Sequence, residues 1–479
     1  MNRIAGLETE YGCLAADEPG VPAAIARARN WIFHEHRFGM IDVHQRDWDE
    51  PAGNGGFLFN GGRCYIDMGH LEYCTPECLS LLDVLRHDQA GDAILLQALR
   101  GTGLEDKASF IRNNVDHYSG ATFGCHENYL VRRAAPLTEP NLRSLLAFLT
   151  LRMLYTSAGR VGATVAAEAR GEWSRPGPGA LFQISQRADY INNDLFEWVQ
   201  FNRAIINTRD EPLADARKYR RLHLLHGDTN VLPASLLLKV GTTALALDLL
   251  EMNCLPNIML DDAVAAFRQL SRQPDGPWLV QLAGGRRVNA VALLQQFHRK
   301  AREELAGRDP ETDALLSVWE ETLASLAAEP ESLVGRVDWI TKRWLLQQFC
   351  DREKIPCTDP WLKSQDLEYH QIDPARSLGL ALARTPPAWE IPSQDAVRAI
   401  LQPPANTRAC ARSRAMRLLQ SEPCSYYIDW EIIGVEGGEA LHLLNPFDPG
   451  PKEAEQWMQS MTQPGARPSI QFRRTNRIL

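Results

Sequence analysis

Within the first dozen residues, RIAGLETEYG sets Glu8 and Glu10 two positions apart. In a strand, residues two apart share a face, so Ile4, Gly6, Glu8 and Glu10 point one way and Ala5, Leu7, Thr9 and Tyr11 the other. The two carboxylates then stand roughly 7 Å apart, a spacing that suits either a wet face or a divalent cation beside them. Later stretches repeat the pattern. RCYIDMGHLEY aligns Tyr65 with Asp67, opposite Cys64 and Ile66, with Glu72 just beyond; GCHENYL aligns His126 with Asn128; FQISQR offers Gln183 and Ser185; RRLHLLH sets Arg221 and His223 opposite Leu222 and Leu224. Singly, each is at home on a solvated surface. Several strands carrying acid, imidazole or phenol on one face describe a polar, concave sheet, and oxygen-rich donors with a few imidazoles suit magnesium or manganese better than zinc. Such ions bind nucleotide phosphates.

Other chemistries lack their residues. The sequence contains no Gly-x4-Gly-Lys-Ser/Thr loop, no Gly-x-Gly-x-x-Gly, no Gly-x-Ser-x-Gly and no His-Glu-x-x-His, so a nucleotide bound here is held by something other than a glycine loop. Cys64, Cys74, Cys78, Cys125 and His126 raise the question of structural zinc. Only one Cys-x3-Cys pair is present, and free cysteine is among the most buried residue types, so core packing is the expected role.

These residues need a scaffold. With 479 residues, 44% of them hydrophobic, the chain can bury a large core. Its net charge of −9 argues against a generalised nucleic-acid surface. The N-terminus lacks an apolar signal core, and the longest apolar run, ASLLLKVGTTALALDLL, carries Lys239 and two threonines, which predicts a buried helix and no membrane span. Ten cysteines without a secretion signal read as reduced thiols, and a cytoplasmic location is expected. FLFNGGRCYIDM reads as two strands around an Asn-Gly-Gly turn. ATFGCHENYLVRR, ALFQISQRADYI and RLHLLHGD read as strands, whereas LLDVLRHDQAGDAILLQAL, PNLRSLLAFLTLRMLYT and the long segments after residue 236 have helical periodicity. The expectation is an α+β protein, sheet early and helices later. Proline-rich stretches between residues 385 and 406 mark a boundary, giving a large domain over 1–390 and a small C-terminal domain over 391–479. The basic tail ARPSIQFRRTNRIL reads as a solvated end.

On GLETEYG, FNGGRCYIDMGHLEYCTPEC, NNVDHYSGATFGCHENYL, SAGRVG, FQISQRADYI and INTRDEPLADARKYRRLHLLHGDTN, the chain resembles the bacterial Pup ligase and Pup deamidase/depupylase family, relatives of the glutamine synthetase fold. Weaker likeness continues through DWITKRWLLQQF, LEYHQI, QPPANTRA and NPFDP. The resemblance implies a large domain with a curved, mainly antiparallel sheet cradle packed by helices. It implies ATP and Mg2+ as cofactors, Glu8 and Glu10 as magnesium ligands, Tyr65 and Glu72 around the Glu10 ion, and His126 and His223 as partners of Glu8. Asp67 matches the family's catalytic aspartate, and Arg209 an arginine near the ATP phosphates. The implied partners are a small disordered Pup-like modifier of the proteasome pathway and lysine-bearing target proteins, with neither nucleic acid nor membrane.

The implied reaction is activation of the modifier's C-terminal glutamate as an acyl phosphate, followed by attack of a target lysine. The alternative is a depupylase or deamidase that cleaves the amide or isopeptide bond with ATP as cofactor, and a third reading is a non-catalytic, modifier-binding homologue. The short segment RFGMIDVHQRDWDEPAGNGG, where depupylases carry a long loop, favours the ligase. The Asp67 to Glu72 spacing and the NNVD wording are closer to depupylases, and Leu71 stands where either branch usually has proline. These departures describe a divergent member.

Overall fold

In a computed structural model, which describes residues 1–46, 50–117, 119–162, 182–197, 203–422 and 424–462, the stretch around Glu8 and Glu10 is strand β1 (Ala5–Ala15). It lies inside a ten-stranded sheet. The other members are β2 (Gly39–Ile41), β3 (Gly55–Leu58), β4 (Arg63–Asp67), β5 (His70–Cys74), β6 (Ala108–Ile111) and β7 (Cys125–Arg132). After a separate pair, β8 (Arg160–Val161) and β9 (Phe182–Gln183), the sheet resumes with β10 (Ile191–Phe196), β11 (Arg203–Asn207) and β12 (Tyr219–Leu224). The order is β10-β11-β12-β7-β1-β5-β4-β3-β2, with β6 on the second half of β1. Every pairing within it is antiparallel except β10 with β11.

Two turns place the acidic strands. At Asn60-Gly61-Gly62 the Asn60 Oδ1 accepts the Gly62 N–H at 3.0 Å, and Gly61 has φ +86°, a conformation that favours glycine. A side chain at Gly61 would also meet Ala409 Cβ at 2.8 Å, so this turn lets the C-terminal part approach the sheet. The second hairpin turns through Met68 and Gly69, at φ 44° and 90°, in the two-residue geometry that matches strand twist. It carries β5 back along β4 and sets Glu72 opposite Tyr65.

One face of the sheet is apolar. Ala5 and Leu7 of β1 join Tyr129, Val131 and Leu224 in the main core, and Tyr11 joins Cys64, Leu71 and Tyr73 in a second. The helices Leu81–Gly101, Glu139–Leu151 and Pro233–Glu251 cover this face. The last is long and apolar enough by composition to cross a membrane, yet 89% of its apolar window is buried inside the protein, so it is a core helix, with Lys239 Nζ donating to the Asp228 carbonyl at 2.7 Å. Leu71 is fully buried on this side; the departure from the family's proline leaves the polar face untouched. Cys64, Cys74, Cys78 and Cys125 are buried free thiols.

A third core joins the helix Ala409–Gln420, the three-stranded sheet β15 (Tyr426–Ile428), β16 (Ile432–Val435) and β17 (Leu441–His442), and Trp457 to Met40 and Phe57 of the large sheet and to Phe59 just beyond β3; the pair β13 (Leu279–Gln281) and β14 (Arg287–Asn289) stands apart. The basic tail lies outside the described residues.

Two expectations need correction. PNLRSLLAFLTLRMLYT is not one helix: it breaks at Arg152 into Glu139–Leu151 and Met153–Thr156, where the buried Arg152 guanidinium donates to Glu127 at 2.5 and 2.8 Å. ALFQISQRADYI is not one strand of the sheet; among its described residues are the two-residue β9 and a 3-10 turn at Ala188–Tyr190, and only its last residue, Ile191, enters the sheet, as the start of β10. The Asp228 carboxylate accepts the backbone N–H groups of Gln186 and Arg187 and the Ser185 hydroxyl at 2.9–3.2 Å. Those amides go to a side chain and are lost to a ladder. Gln183 and Ser185 therefore belong to a buried polar knot, not to the sheet's polar face.

Candidate active site

Register builds the site. Glu8 pairs with His126 and Gly6 with Asn128 across β1 and β7, and His223 pairs with Asn128 across β12 and β7. Because residues opposite each other share a face, these side chains converge. Glu8 Oε2 lies 3.2 Å from His126 Nδ1 and 3.5 Å from His223 Nε2, while Asn128 Nδ2 donates to Glu8 Oε1 at 2.8 Å. On the other flank Glu10 pairs with Glu72, and Glu72 with Tyr65. The Tyr65 hydroxyl donates to Glu72 Oε1 at 2.8 Å. Two groups of donor atoms result, Glu8 with His126 and His223, and Glu10 with Asp67 and Glu72, each with all atoms within 4.8 Å of one another. The structure brings Glu8 together with His126 and His223, and Glu10 with Glu72; Tyr65 reaches the second group through its hydrogen bond to Glu72, and Asp67 lies inside it.

The electrostatics of the two groups differ. Burial raises the Glu8 carboxyl, but His223 and His126 outweigh it and hold it well below the carboxylate range. Burial pushes His223 down to about 4 despite Glu8, so the ring is neutral at pH 7, as a metal ligand must be. Its buried Nε2 faces the Glu8 carboxylate. Glu72, 2% exposed, is raised well above the carboxylate range by burial and then by the charges of Glu8, Glu10 and Asp67. Burial and Glu72 likewise push the Tyr65 phenol up, which keeps it a donor. A mostly buried acidic cluster beside a carboxylate flanked by two imidazoles fits hard divalent cations held by oxygen with some nitrogen.

A cavity of about 480 Å³ opens from this face. Its lining includes Glu8, His223, the first half of β1, Arg408, Trp430 and Pro446. Arg209 lines it with a side chain 56% exposed and paired to Glu211 at 2.6 Å. Arg221 links Glu211 at 3.4 Å to Asn128 at 3.2 Å and Glu8 at 3.8 Å. Arg63, whose guanidinium lies 4.1 Å over the Tyr65 ring, also lines the cavity. Sequence reasoning passed over Arg63, although the alternation that aligned Tyr65 with Asp67 puts it on the same face. For Arg408 and Trp430 no spacing gives a signal, because they come from the far end of the chain.

The family model described as Pup-ligase protein matches residues 3–434. A depupylase of Acidothermus cellulolyticus is 33% identical over 94% of this chain and 94% of its own. A Pup--protein ligase of Mycobacteroides abscessus is 34% identical over 96% of this chain and 100% of its own. Among solved structures, the ligase PafA in complex with the prokaryotic ubiquitin-like protein Pup superposes with a TM-score of 0.80 at 30% identity, covering 96% of this chain and 91% of that one. PafA in complex with ADP gives 0.75 at 29% identity over 95% and 96%. A sheet whose register gathers these two donor groups, matched over nearly its whole length, belongs to a member of the Pup ligase family.

Proposed function

We propose that this chain is an ATP-dependent ligase that joins the side-chain carboxylate of the C-terminal glutamate of a Pup-like modifier to a lysine of a target protein. The observation that carries this reading is the pair of donor groups side by side on one sheet face, with Asp67 inside one of them and the cavity opening beside the other. Glu8, His126 and His223 would hold one magnesium ion and Glu10, Tyr65 and Glu72 another. Bound there, magnesium supplies positive charge that orients ATP and offsets the charge of the transferring phosphoryl group. Arg209, on the cavity wall, is placed to add donors to the phosphates once it exchanges Glu211 for them.

The modifier's carboxylate oxygen attacks the γ-phosphorus and ADP leaves. The lysine nitrogen then attacks the acyl carbon, and inorganic phosphate leaves as the isopeptide bond forms. A lysine near its reference pKa of about 10.4 is almost wholly protonated at neutral pH, so Asp67 takes its proton before attack. Family resemblance, the described sheet and the ADP complex of PafA support this order. The domain division at residue 390 goes with it: residues 1–390 carry the chemistry, and the C-terminal part closes one end of the cavity. A cytoplasmic location fits the ten free cysteines, which a reducing compartment preserves.

Residues 42–54 alone connect β2 to β3, and this brevity favours the ligase, because an incoming lysine needs an open approach to Asp67. The depupylase reading has its own support in the 33% identical relative from Acidothermus cellulolyticus. The deciding experiment measures ADP against conjugate in both directions. A ligase forms one ADP per isopeptide bond when modifier and target are supplied. Release of target from preformed conjugate with far less than one ADP per bond would replace this proposal with the depupylase.

A further inference from the structure

We infer that Gly124 is a positioning residue of the metal centre: having no side chain, it leaves the His126 imidazole the room to stand beside Glu8, at the boundary between the two donor groups. The inference rests on the magnesium-binding reading above and adds a residue that offers no donor atom itself but sets where one of the ligands stands.

The place of Gly124 follows from the ladder. Strands β1 and β7 pair antiparallel, Glu8 with His126 and Thr9 with Cys125. One step further the same register sets Gly124 opposite Glu10, and the Glu10 N–H donates to the Gly124 carbonyl at 3.2 Å. Positions 124, 126 and 128 take one face. On it β7 presents Asn128, then His126, then no side chain at all, whereas on its other flank Glu10 has Glu72 opposite it. Gly124 therefore lies where the group of Glu8, His126 and His223 meets the group of Glu10, Asp67 and Glu72.

Backbone strain does not call for glycine here, because the φ of Gly124 lies outside the left-handed region. Space does. A Cβ on Gly124 would press on His126 Nε2, lie 2.8 Å from His126 Cδ2 and 2.9 Å from Glu10 Oε1. These atoms are the ends of two side chains, one from each donor group. The contrast with β2 and β3 is plain: a Cβ on Gly39, Gly55 or Gly56 would strike the main chain of the facing strand, so those glycines serve strand packing. At Gly124 the obstacle can move. The His126 side chain is 19% exposed and swings outward at little cost to the fold, while Glu10, 8% exposed, is less free and has less distance to make up. Swinging outward breaks the approach of His126 Nδ1 to Glu8 Oε2, now 3.2 Å. Magnesium tolerates little departure from octahedral geometry, so a methyl group that the fold absorbs is one that the metal centre does not.

Manganese, which accepts the same oxygen and imidazole donors and is read directly by electron paramagnetic resonance, tests this in wild type, Gly124→Ala, His126→Ala and the double variant, with thermal melting of each in EDTA. Gly124→Ala should melt in EDTA at or above the wild-type temperature, since alanine narrows the unfolded ensemble, yet bind one manganese ion about tenfold or more weakly. In the His126→Ala background, where no ring remains to displace, the same substitution should change manganese affinity by no more than about twofold. Unchanged affinity in Gly124→Ala would overturn the inference, and so would an equal loss in both backgrounds. A melting temperature in EDTA that falls together with the affinity would make Gly124 a structural residue and overturn it too. A wild type that binds no manganese overturns the functional reading as well; a wild type that binds it and a Gly124→Ala variant that binds it alike overturn only this inference.

Discussion

Replacing Glu72 by glutamine should make the metal-free protein more stable and the magnesium-loaded protein less so. The donor atoms of Glu10, Asp67 and Glu72 lie within 4.8 Å of one another. Two unit charges at that distance repel by about 3.5 kcal/mol in an effective dielectric of about 20. Burial and then the neighbouring carboxylates raise the Glu72 carboxyl well above its ordinary range. In the unfolded chain it titrates near 4.3, so in the folded, metal-free protein it holds its proton longer. Its contribution to stability is full below about pH 4.3 and is lost at about 1.4 kcal/mol per pH unit as pH rises toward the folded value. Glutamine has no such loss. Urea unfolding in EDTA should therefore show the variant and wild type nearly equal at about pH 4 and the variant ahead by about 1.4 kcal/mol or more at pH 7.5. Added magnesium should reverse the order, because a cation offsets the repulsion of the carboxylates around it and is held more weakly once the Glu72 carboxylate is gone. Wild type more stable than Glu72→Gln in EDTA at pH 7.5, or equal stabilisation of both by magnesium, would refute the idea that this cluster is built around a cation.

Three further outcomes follow from the same geometry. Glu10→Ala removes a carboxylate from the second donor group and should weaken Mg-ATP tenfold or more in a calorimetric titration, an expectation sunk by unchanged affinity. Asp67→Asn should retain Mg-ATP binding and the fold while conjugate formation falls by at least ~100-fold; joint loss of binding and turnover would make Asp67 a metal or structural residue. Glu77→Gln leaves Arg408 and Arg412 uncompensated and should cost about 3–5 kcal/mol at pH 7 by urea unfolding. Burial raises the Glu77 carboxyl, but the two arginines outweigh it and hold it at about 2, below its unfolded value near 4.3. Its stabilisation is thus present above pH 4.3 and is lost as pH falls toward 2, so the gap between variant and wild type should narrow below pH 4.3; a constant gap would show that Glu77 is not the titrating partner.

The site was legible where a period of two governs it. Glu8, Glu10, Tyr65, Asp67, His126 and His223 all lie on strands, and alternation alone fixes which face each takes. Alternation does not say which strands are neighbours. The ladder that puts Glu8 beside His126 joins residues 118 apart in sequence, and family resemblance supplied the grouping that periodicity could not. Gln183 and Ser185 misled for the opposite reason: the alternation is present, but the strand stops after Gln183, and Asp228 takes the backbone N–H groups of Gln186 and Arg187 that a longer ladder would need. Apolar periodicity identified the core helix Pro233–Glu251 but gave no sign of the break at Arg152, which serves a buried ion pair with Glu127.

The far end of the cavity was out of reach for a different reason. Arg408, at the cap of the helix Ala409–Gln420, and Arg412, one turn into it, stand at a spacing that suggests only a solvated surface, and nothing near residue 77 announces that one buried carboxylate accepts from both. The pairing exists because Gly61 lets the helix Ala409–Gln420 approach to side-chain contact with the turn. That contact carries the Arg412 guanidinium to the Gly61 carbonyl and the Trp430 ring. A turn residue read from sequence as a hairpin signal thus also sets the position of the cavity's far wall. Glycine there serves two ends at once: the positive φ that closes β3 onto β4, and the room that brings an aromatic ring to the cavity that begins at Glu8.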